Sequence, residues 1–353
     1  MQVMFVDDEN RILSGIERAV MMHNPDWECR FAGSGPQALA MLEETPADVV
    51  VSDMRMPFMD GAELLAQVRD RRPGTVRIIL SGYSEPTSTQ RMLQVAHQFV
   101  SKPCDSTVLI EMIESTLTRR SALEEPLVID RVGQLSHLPA VPEIIAELQQ
   151  RLSDSDIHCI AGLVGRDPAL AARFMQMANS AWFTRGAHIH DIGSALTQLG
   201  MEQIKLFIQT PEFFAVGSSD PRVDKLQRNA FIASQLAARI CGHQGLESTA
   251  ALLAGIALLV PDAHVSSTSR ATVSAYMLAL WGLPGDLVDI VARHAEPSRF
   301  ANNLFGAIGA VHVAVALAHD DVPDHVYLEQ TGMLNQLPLW QQMLAHIKET
   351  LHD

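Results

Sequence analysis

The sequence predicts two folds in series: an α/β doubly wound, five-stranded parallel sheet over the first third, and an all-α domain over the rest. Three observations carry this. Up to about residue 120, short β-rich apolar runs alternate with stretches of helical period, which is the pattern of a parallel sheet with helices on both faces. From about Leu127 onward the β signal disappears and helix follows helix. The chain has 353 residues, too many for one ordinary core.

The strands are expected at Val3–Val6, Glu28–Ala32, Val49–Val51, Arg77–Leu80 and Gln98–Val100, with Glu28–Ala32 the weakest of the five. Between them Ile12, Ile16, Ala19 and Val20 recur at helical spacing, as do Leu64, Leu65 and Val68. A helix starting near Asp105 is expected to run to the end of this domain and to continue as a stiff connector. The change of period at "RRSALEEPLV" sets the boundaries: 1–120 for the sheet domain, 121–127 for a linker, 128–325 for the helical domain and 326–353 for a helical tail. In the second half, "VPEIIAELQQRL", "DPALAARFMQMANSAWF", "QRNAFIASQLAARICGHQ", "STAALLAGIALLV" and "LFGAIGAVHVAVALAHD" carry apolar residues at three and four, with Gly, Pro or Asp at the ends. No fixed period recurs, which argues against a solenoid.

Composition narrows the function classes. Hydrophobic residues make up 47% and charged residues 19%, a globular balance. The net charge of -15 argues against a broad nucleic-acid footprint. The basic cluster Arg69–Arg72 reads as a solvated helix end. The 4 cysteines form no CxxC, so a disulfide framework and structural zinc are both poor readings and a reducing cytoplasm fits better. No leader sequence is apparent at "MQVMFVDDE". The longest apolar runs, Ala250–Val260 and Gly306–Ala318, fall short of the ~18 residues a membrane span needs. A soluble, cytoplasmic protein without membrane or nucleic-acid partners is the expectation.

The sheet domain carries chemistry at its strand ends. Asp7 and Asp8 follow "VMFV" and Asp53 follows "VVVS", so all three lie at the C-terminal edge where parallel sheets place ligands. Three converging carboxylates repel one another unless a hard cation sits between them, and Mg²⁺ prefers oxygen ligands and shares its shell with phosphoryl groups. Ser81 and Lys102 end two further strands at the same rim, supplying the hydroxyl and ammonium that offset a transferred phosphoryl's charge.

This constellation closely resembles the receiver domain of two-component response regulators, through "VDDE", "SDMRMPFMDG", "LSGY" and "SKP". The resemblance implies a flavodoxin-like fold with Asp53 as the acceptor of a phosphoryl group from a sensor histidine kinase. It implies Mg²⁺ held directly by Asp8, Asp53 and the backbone carbonyl of Arg55, with Asp7 acting through water. Ser81 and Lys102 would contact the phosphoryl, Ser81 and Phe99 would be the switch residues, and Lys102-Pro103 would be a cis peptide.

The second half contains His190-Asp191-Ile192-Gly193, the HDIG string of metal-dependent HD phosphohydrolases. The spacing of Ile189, Ile192, Leu196 and Leu199 makes one apolar helical face beginning at Asp191, with Gly200 at its end. Asp191 therefore reads as an N-cap and His190 as a residue before the helix, free to point at solvent. The surrounding sequence resembles the HDOD family, non-catalytic relatives of HD enzymes. "LSHLPAVPEIIAEL" supplies Leu138, Pro139 and Pro142; "GRDPALAARFMQMANSAWF" supplies Asp167, Pro168, Leu170, Met175, Ala178, Asn179 and Ser180. Where HD enzymes hold their true dyad, this chain has Leu258-Leu259, which cannot bind a metal. Asp167 and Asn179 are given structural roles, as cap and buried hydrogen-bonding group. His243, His264, His294, His312 and His319 show no ligand spacing and read as core or rim residues. Met175, Met177, Trp182 and Phe183 suit either a contact surface or a core, and core is the stronger reading.

The resemblances together imply a phosphorylation-dependent response regulator whose HDOD domain, without catalytic residues, acts through protein contacts. Its partner is left unidentified, with a cyclic-di-GMP signalling enzyme among the candidates and a homodimer left open. The alternative is an HD-type cyclic-dinucleotide phosphodiesterase gated by the receiver.

Overall fold

A computed structural model describes residues 1–82, 91–92, 94–123, 126–135, 138–152, 156–180, 188–210, 215–216, 221–260, 267–300 and 304–351. Two compact units emerge. One comprises Met1–Ser136 with 180–186 and 279–282; the other comprises His137–Asn179, Ala187–Leu278 and Leu283–Asp353.

The first unit is built on β1 (Gln2–Val6), β2 (Glu28–Ala32), β3 (Val49–Asp53), β4 (Val76–Ser81) and β5 (Gln98–Ser101). They form one parallel sheet in the order β2-β1-β3-β4-β5. Val3 pairs with Val49 and Val49 with Val76, and every residue of β3 and β4 is buried. A strand covered on both faces must be largely apolar on both, which is why Val49–Val51 and Ile78–Leu80 are unbroken apolar runs. Helices α1 (Asn10–His23), α2 (Gly35–Glu44), α3 (Gly61–Arg71) and α4 (Ser106–Ser121) flank the sheet. α1 turns Leu13, Ile16 and Val20 inward. Each of the five expected strands is present; Glu28–Ala32 has the expected bounds and the other four are longer by one or two residues.

The stiff connector is not. α4 stops at Ser121, and a separate helix α5 (Pro126–Gln134) begins with proline at its first position. Proline there costs no hydrogen bond, whereas one turn later it would break a continuous helix. α5 groups with the sheet unit, although the change of period had placed residue 128 onward in the helical domain. It docks backbone to backbone on the turn before β4: a Cβ at Gly133 would lie 2.0 Å from the Pro73 carbonyl oxygen. Beneath it the Arg77 guanidinium is 2% exposed and donates to the carbonyls of Val95 (2.6 Å), Pro73, Thr75 (both 3.1 Å) and Gly133 (2.6 Å). A buried cation needs such a full ring of acceptors. His97 lies against it: its Nδ1 accepts the Arg77 backbone N–H at 3.1 Å, and its Nε2 is 2.8 Å from an Arg77 guanidinium nitrogen and 3.2 Å from the Gly133 carbonyl oxygen. Burial, reinforced by the Arg77 charge, holds His97 well below its ordinary value, so it is neutral.

The second unit is helical: α6 (Pro142–Arg151), α7 (Ile157–Val164), α8 (Pro168–Asn179), α9 (Ile192–Gln209), α10 (Pro221–Cys241), α11 (Leu246–Leu253), α12 (Ser267–Leu280), α13 (Gly285–Arg293), α14 (Gly306–Ala318), α15 (His325–Gln330) and α16 (Leu337–Thr350). α8 is buried on every side from Pro168 to Ala178, so Met175 and Met177 are core; Trp182 and Phe183 lie outside the described residues. α10 packs against α11, α14 and α16. β is not wholly absent: β6 (Pro139–Ala140) pairs in parallel with β7 (Ala215–Val216). Strands of two residues are too short to show alternation. The stretch "ALLAGIALLV" is also not one helix. α11 ends at Leu253, and a separate 3₁₀ turn covers Ile256–Leu259. At Gly200 the backbone has φ 75° and ψ 158°, so the first helical segment of α9 ends there and a second follows directly to Gln209.

Candidate functional site

The C-terminal edge of the sheet brings Asp7, Asp53, Ser81 and Lys102 together. Asp7 and Asp53 end adjacent strands and are both buried, whereas Asp8 is exposed. The Lys102 ammonium lies 2.6 Å from Asp7 Oδ2 and 2.5 Å from Asp53 Oδ1, so one cation bridges the two carboxylates. The remaining oxygens are also held: Asp53 Oδ2 accepts the Arg55 N–H at 3.0 Å and Asp7 Oδ1 accepts the Glu9 N–H at 2.8 Å. Lys102 precedes a cis peptide to Pro103, and its N–H donates to the Ser81 carbonyl at 2.8 Å, tying two strand ends together. Ser81 is buried and its hydroxyl donates to the Gly82 carbonyl at 3.0 Å. Phe99 is buried in β5.

Burial pushes the Asp53 carboxyl above its ordinary value, by more than the Lys102 hydrogen bond and charge pull it back. Burial also works against the Lys102 ammonium, but hydrogen bonds and charge from Asp53 and Asp7 outweigh it and hold the lysine above its ordinary value.

The last two residues of the "SDMRMPFMDG" motif, Asp60 and Gly61, have structural tasks that the motif does not state. A Cβ at Gly61 would lie 2.2 Å from the Asp53 carbonyl oxygen, so the glycine lets α3 start against the backbone of Asp53. Asp60 caps α3 through the Glu63 N–H at 2.8 Å and holds Arg91 at 2.7 Å. Only contact over 31 residues identifies that pair; spacing does not.

The donor set suits a hard cation. Asp7, Asp53 and Asp8 present oxygen only, at an edge where Lys102 already shows that positive charge is stabilised between carboxylates. Among the described residues no three His, Cys, Asp or Glu side chains enclose an ion by themselves. A bound Mg²⁺ would therefore complete its shell from backbone carbonyl, water and phosphoryl oxygen, as that ion usually does.

In the second unit the HDIG residues part company. Asp191 caps α9, accepting the Ser194 N–H at 2.8 Å. His190 is half-exposed with Nδ1 3.0 Å from Asp286 Oδ1, a partner on α13 where the sequence had suggested solvent. Leu259 is buried and Leu258 half-buried in the 3₁₀ turn. Asp167 is fully buried: Oδ1 accepts from Ala169 (2.7 Å) and Leu170 (3.2 Å) and Oδ2 from Val141 (2.6 Å), so it caps α8 and pins the start of α6. Burial raises its carboxyl to about 6 against those three hydrogen bonds. Asn179 exchanges two hydrogen bonds with the Ile189 backbone, both at 2.9 Å. His312 Nδ1 meets the His294 carbonyl at 2.7 Å, and its Nε2 accepts the Asp324 N–H at 2.7 Å, leaving neither nitrogen for a metal. His264 lies outside the described residues.

A parallel sheet carrying this acidic, lysine-bridged edge defines the first unit as a receiver domain. The response regulator receiver domain family matches residues 3–114, and the HDOD domain family matches residues 138–260. The chain belongs to the two-component response regulators, as a receiver domain followed by an HDOD domain. Among curated proteins it is 29% identical over 163 residues to the DNA-binding transcriptional regulator NtrC of Salmonella typhimurium, covering 45% of this chain and 34% of that protein. It is 27% identical over 184 residues to the transcriptional regulatory protein TrcR of Mycobacterium tuberculosis, covering 51% and 70%. The chain thus spans about a third of the length of the NtrC relative. Among solved structures, the signal receiver domain of an HD domain-containing protein from Pseudomonas fluorescens is 27% identical, covering 35% of this chain and 98% of that chain with a TM-score of 0.32. A receiver domain from Methanospirillum hungatei is 25% identical, covering 34% and 96% with a TM-score of 0.33. Among the described residues no helix is long and apolar enough to cross a membrane.

Proposed function

We propose that this protein acts in the cytoplasm, where Asp53 takes a phosphoryl group from the phosphohistidine of a sensor histidine kinase, and that the HDOD domain, without catalysis, passes the signal on through protein contacts. The observation that carries the first half is the Lys102 ammonium within 2.6 Å of both Asp53 and Asp7. An Asp53 oxygen attacks phosphorus in line, the P–N bond to the kinase imidazole breaks as the P–O bond forms, and the imidazole leaves to be protonated. Lys102, already beside the attacking oxygen, and Ser81, once its hydroxyl turns from the Gly82 carbonyl, balance the charge on the phosphoryl oxygens. Asp8, Asp53 and the Arg55 carbonyl would hold Mg²⁺, with Asp7 reaching it through water; bound there, the ion would neutralise charge on the transferring group.

Phosphorylation then biases a two-state surface through Ser81 and the buried Phe99. For the HDOD domain, the reading rests on where its dyad residues lie: Asp191 caps α9, and the His190 imidazole lies beside Asp286. Protein rather than DNA is the partner class, consistent with a net charge of -15.

Incubation of the full chain with phosphoramidate and Mg²⁺, read by intact mass, should add one phosphoryl group to wild type and none to Asp53→Ala. A parallel pull-down should recover different proteins from the two. Phosphorylation of Asp53→Ala at the wild-type level would sink the acceptor assignment, and identical captures would sink the gating.

A further inference from the structure

We propose that a groove in the HDOD domain, between α6, α10 and α16, binds a phosphorylated organic anion of mononucleotide size. The groove has a volume of about 600 Å³ and continues along α10 into a second recess of about 420 Å³ that shares Asp224, Arg228, Ile232 and Lys348. Both are within the ~300–1,000 Å³ of ordinary small-molecule sites.

Charge is the first argument. The whole chain carries -15, yet the lining of this groove gathers Arg166, Lys225, Arg228 and Lys348 against Glu143 and Asp224, four cations to two carboxylates, with Glu147 and Asp320 outside the lining paired to Arg166 and Lys348. Lys225 and Arg228 are three apart on α10, hence on one face of it. A concave lining in which cations outnumber carboxylates favours anions.

The second argument is that one of these cations has no structural task. Arg166 leans on Glu147 at 3.5 Å and Lys348 is fixed on Asp320 at 2.9 Å, whereas Arg228 makes no hydrogen bond or ion pair among the described residues. Guanidinium is the side chain whose planar fork matches phosphate, and its pairing with Lys348 at the junction of both recesses places a fork and a point charge together.

The floor decides between a bare anion and an organic one. Ile144, Phe231 and Ile232 line the same groove, and Phe231 is half-buried, leaving aromatic surface for a planar ring. Glu143 can accept hydrogen bonds from an amino group on such a ring. Among the described residues of the lining there is no Ser, Cys or His, and the role proposed for the groove is binding.

Isothermal titration of the full chain with AMP, GMP, their nucleosides and inorganic phosphate tests this. A mononucleotide should bind about tenfold or more tightly than its nucleoside, and more tightly than inorganic phosphate. Arg228→Gln, an exposed position without partners, should weaken binding about tenfold while the thermal midpoint holds, and Arg228→Gln with Lys348→Gln should abolish it. Arg71→Gln, on the receiver, should change nothing, and added salt should weaken binding. The proposal fails if no mononucleotide binds at millimolar concentration, if nucleoside or inorganic phosphate binds as well, or if Arg228→Gln binds like wild type.

Discussion

Replacing Gly133 by alanine tests how the sheet domain ends. The added methyl would lie 2.0 Å from the Pro73 carbonyl oxygen and 2.8 Å from its carbon, where ordinary contact begins at 3.4 Å. Both atoms are backbone, so the two segments must part by about 1.4 Å. Overpacking of this kind costs about 1–3 kcal/mol. The same movement stretches the 2.6 Å bond from Arg77 to the Gly133 carbonyl, and a hydrogen bond to a charged group contributes about 1.5–3 kcal/mol. Alanine's better helix propensity returns about 1 kcal/mol. A net loss of about 1.5–5 kcal/mol follows, a fall on the order of 10 °C in the melting of this unit. Gly15→Ala in α1 is the matched control: nothing lies within 4 Å of its Cβ, and it should gain about 0.5–1 kcal/mol. Thermal unfolding by circular dichroism measures both, with limited trypsin digestion reading exposure at Arg131. If Gly133→Ala melts with the wild type and Arg131 stays equally protected, the close approach of α5 to Pro73 is wrong.

Other outcomes follow from the same kind of reasoning. A fragment ending at Leu123 should melt well below one ending at Ser136, because it lacks the Gly133 carbonyl that Arg77 and His97 face; equal melting would discount α5. Asp167→Ala leaves three backbone N–H groups without their acceptor and should cost about 3 kcal/mol by denaturant titration, with Asp167→Asn costing less. Burial lowers His294 to about 4 from 6.5. The unfolded chain therefore takes up the proton first, and stability present above pH 6.5 is lost as pH falls toward 4, by about 3 kcal/mol. His294→Asn should flatten that slope in melts at stepped pH; an unchanged slope would place the effect elsewhere. Lys102→Ala should abolish phosphorylation by phosphoramidate, whereas Lys102→Arg should retain a fraction of it.

Most of the receiver was legible because its signals are local. Unbroken apolar runs mark strands buried on both faces, and the parallel order then puts whatever follows each run, Asp7, Asp53, Ser81 and Lys102, on one edge. The Arg77–His97–Gly133 cluster was not legible: Arg77 reads as the polar start of a strand, and its enclosure depends on a carbonyl 56 residues away. The break after Ser121 was readable in hindsight from Pro126, whose ring cannot continue a helix. β6 and β7 could not be found at two residues each. In the helical domain, Asp191 was identifiable as a cap from the period of the helix it starts, while the His190–Asp286 pair needed the fold to bring α13 alongside.

The helix Pro168–Asn179 has a bearing on what similarity can reveal. Leu170, Met175 and Ala178, by which the helical half is recognised, are enclosed by neighbours, and Asp167 beside them is spent on backbone. Such positions are constrained by volume and donor count, whatever the domain meets outside. Two proteins could share that signature in full and yet answer to unrelated targets, so the choice of target has to be written on the variable exterior.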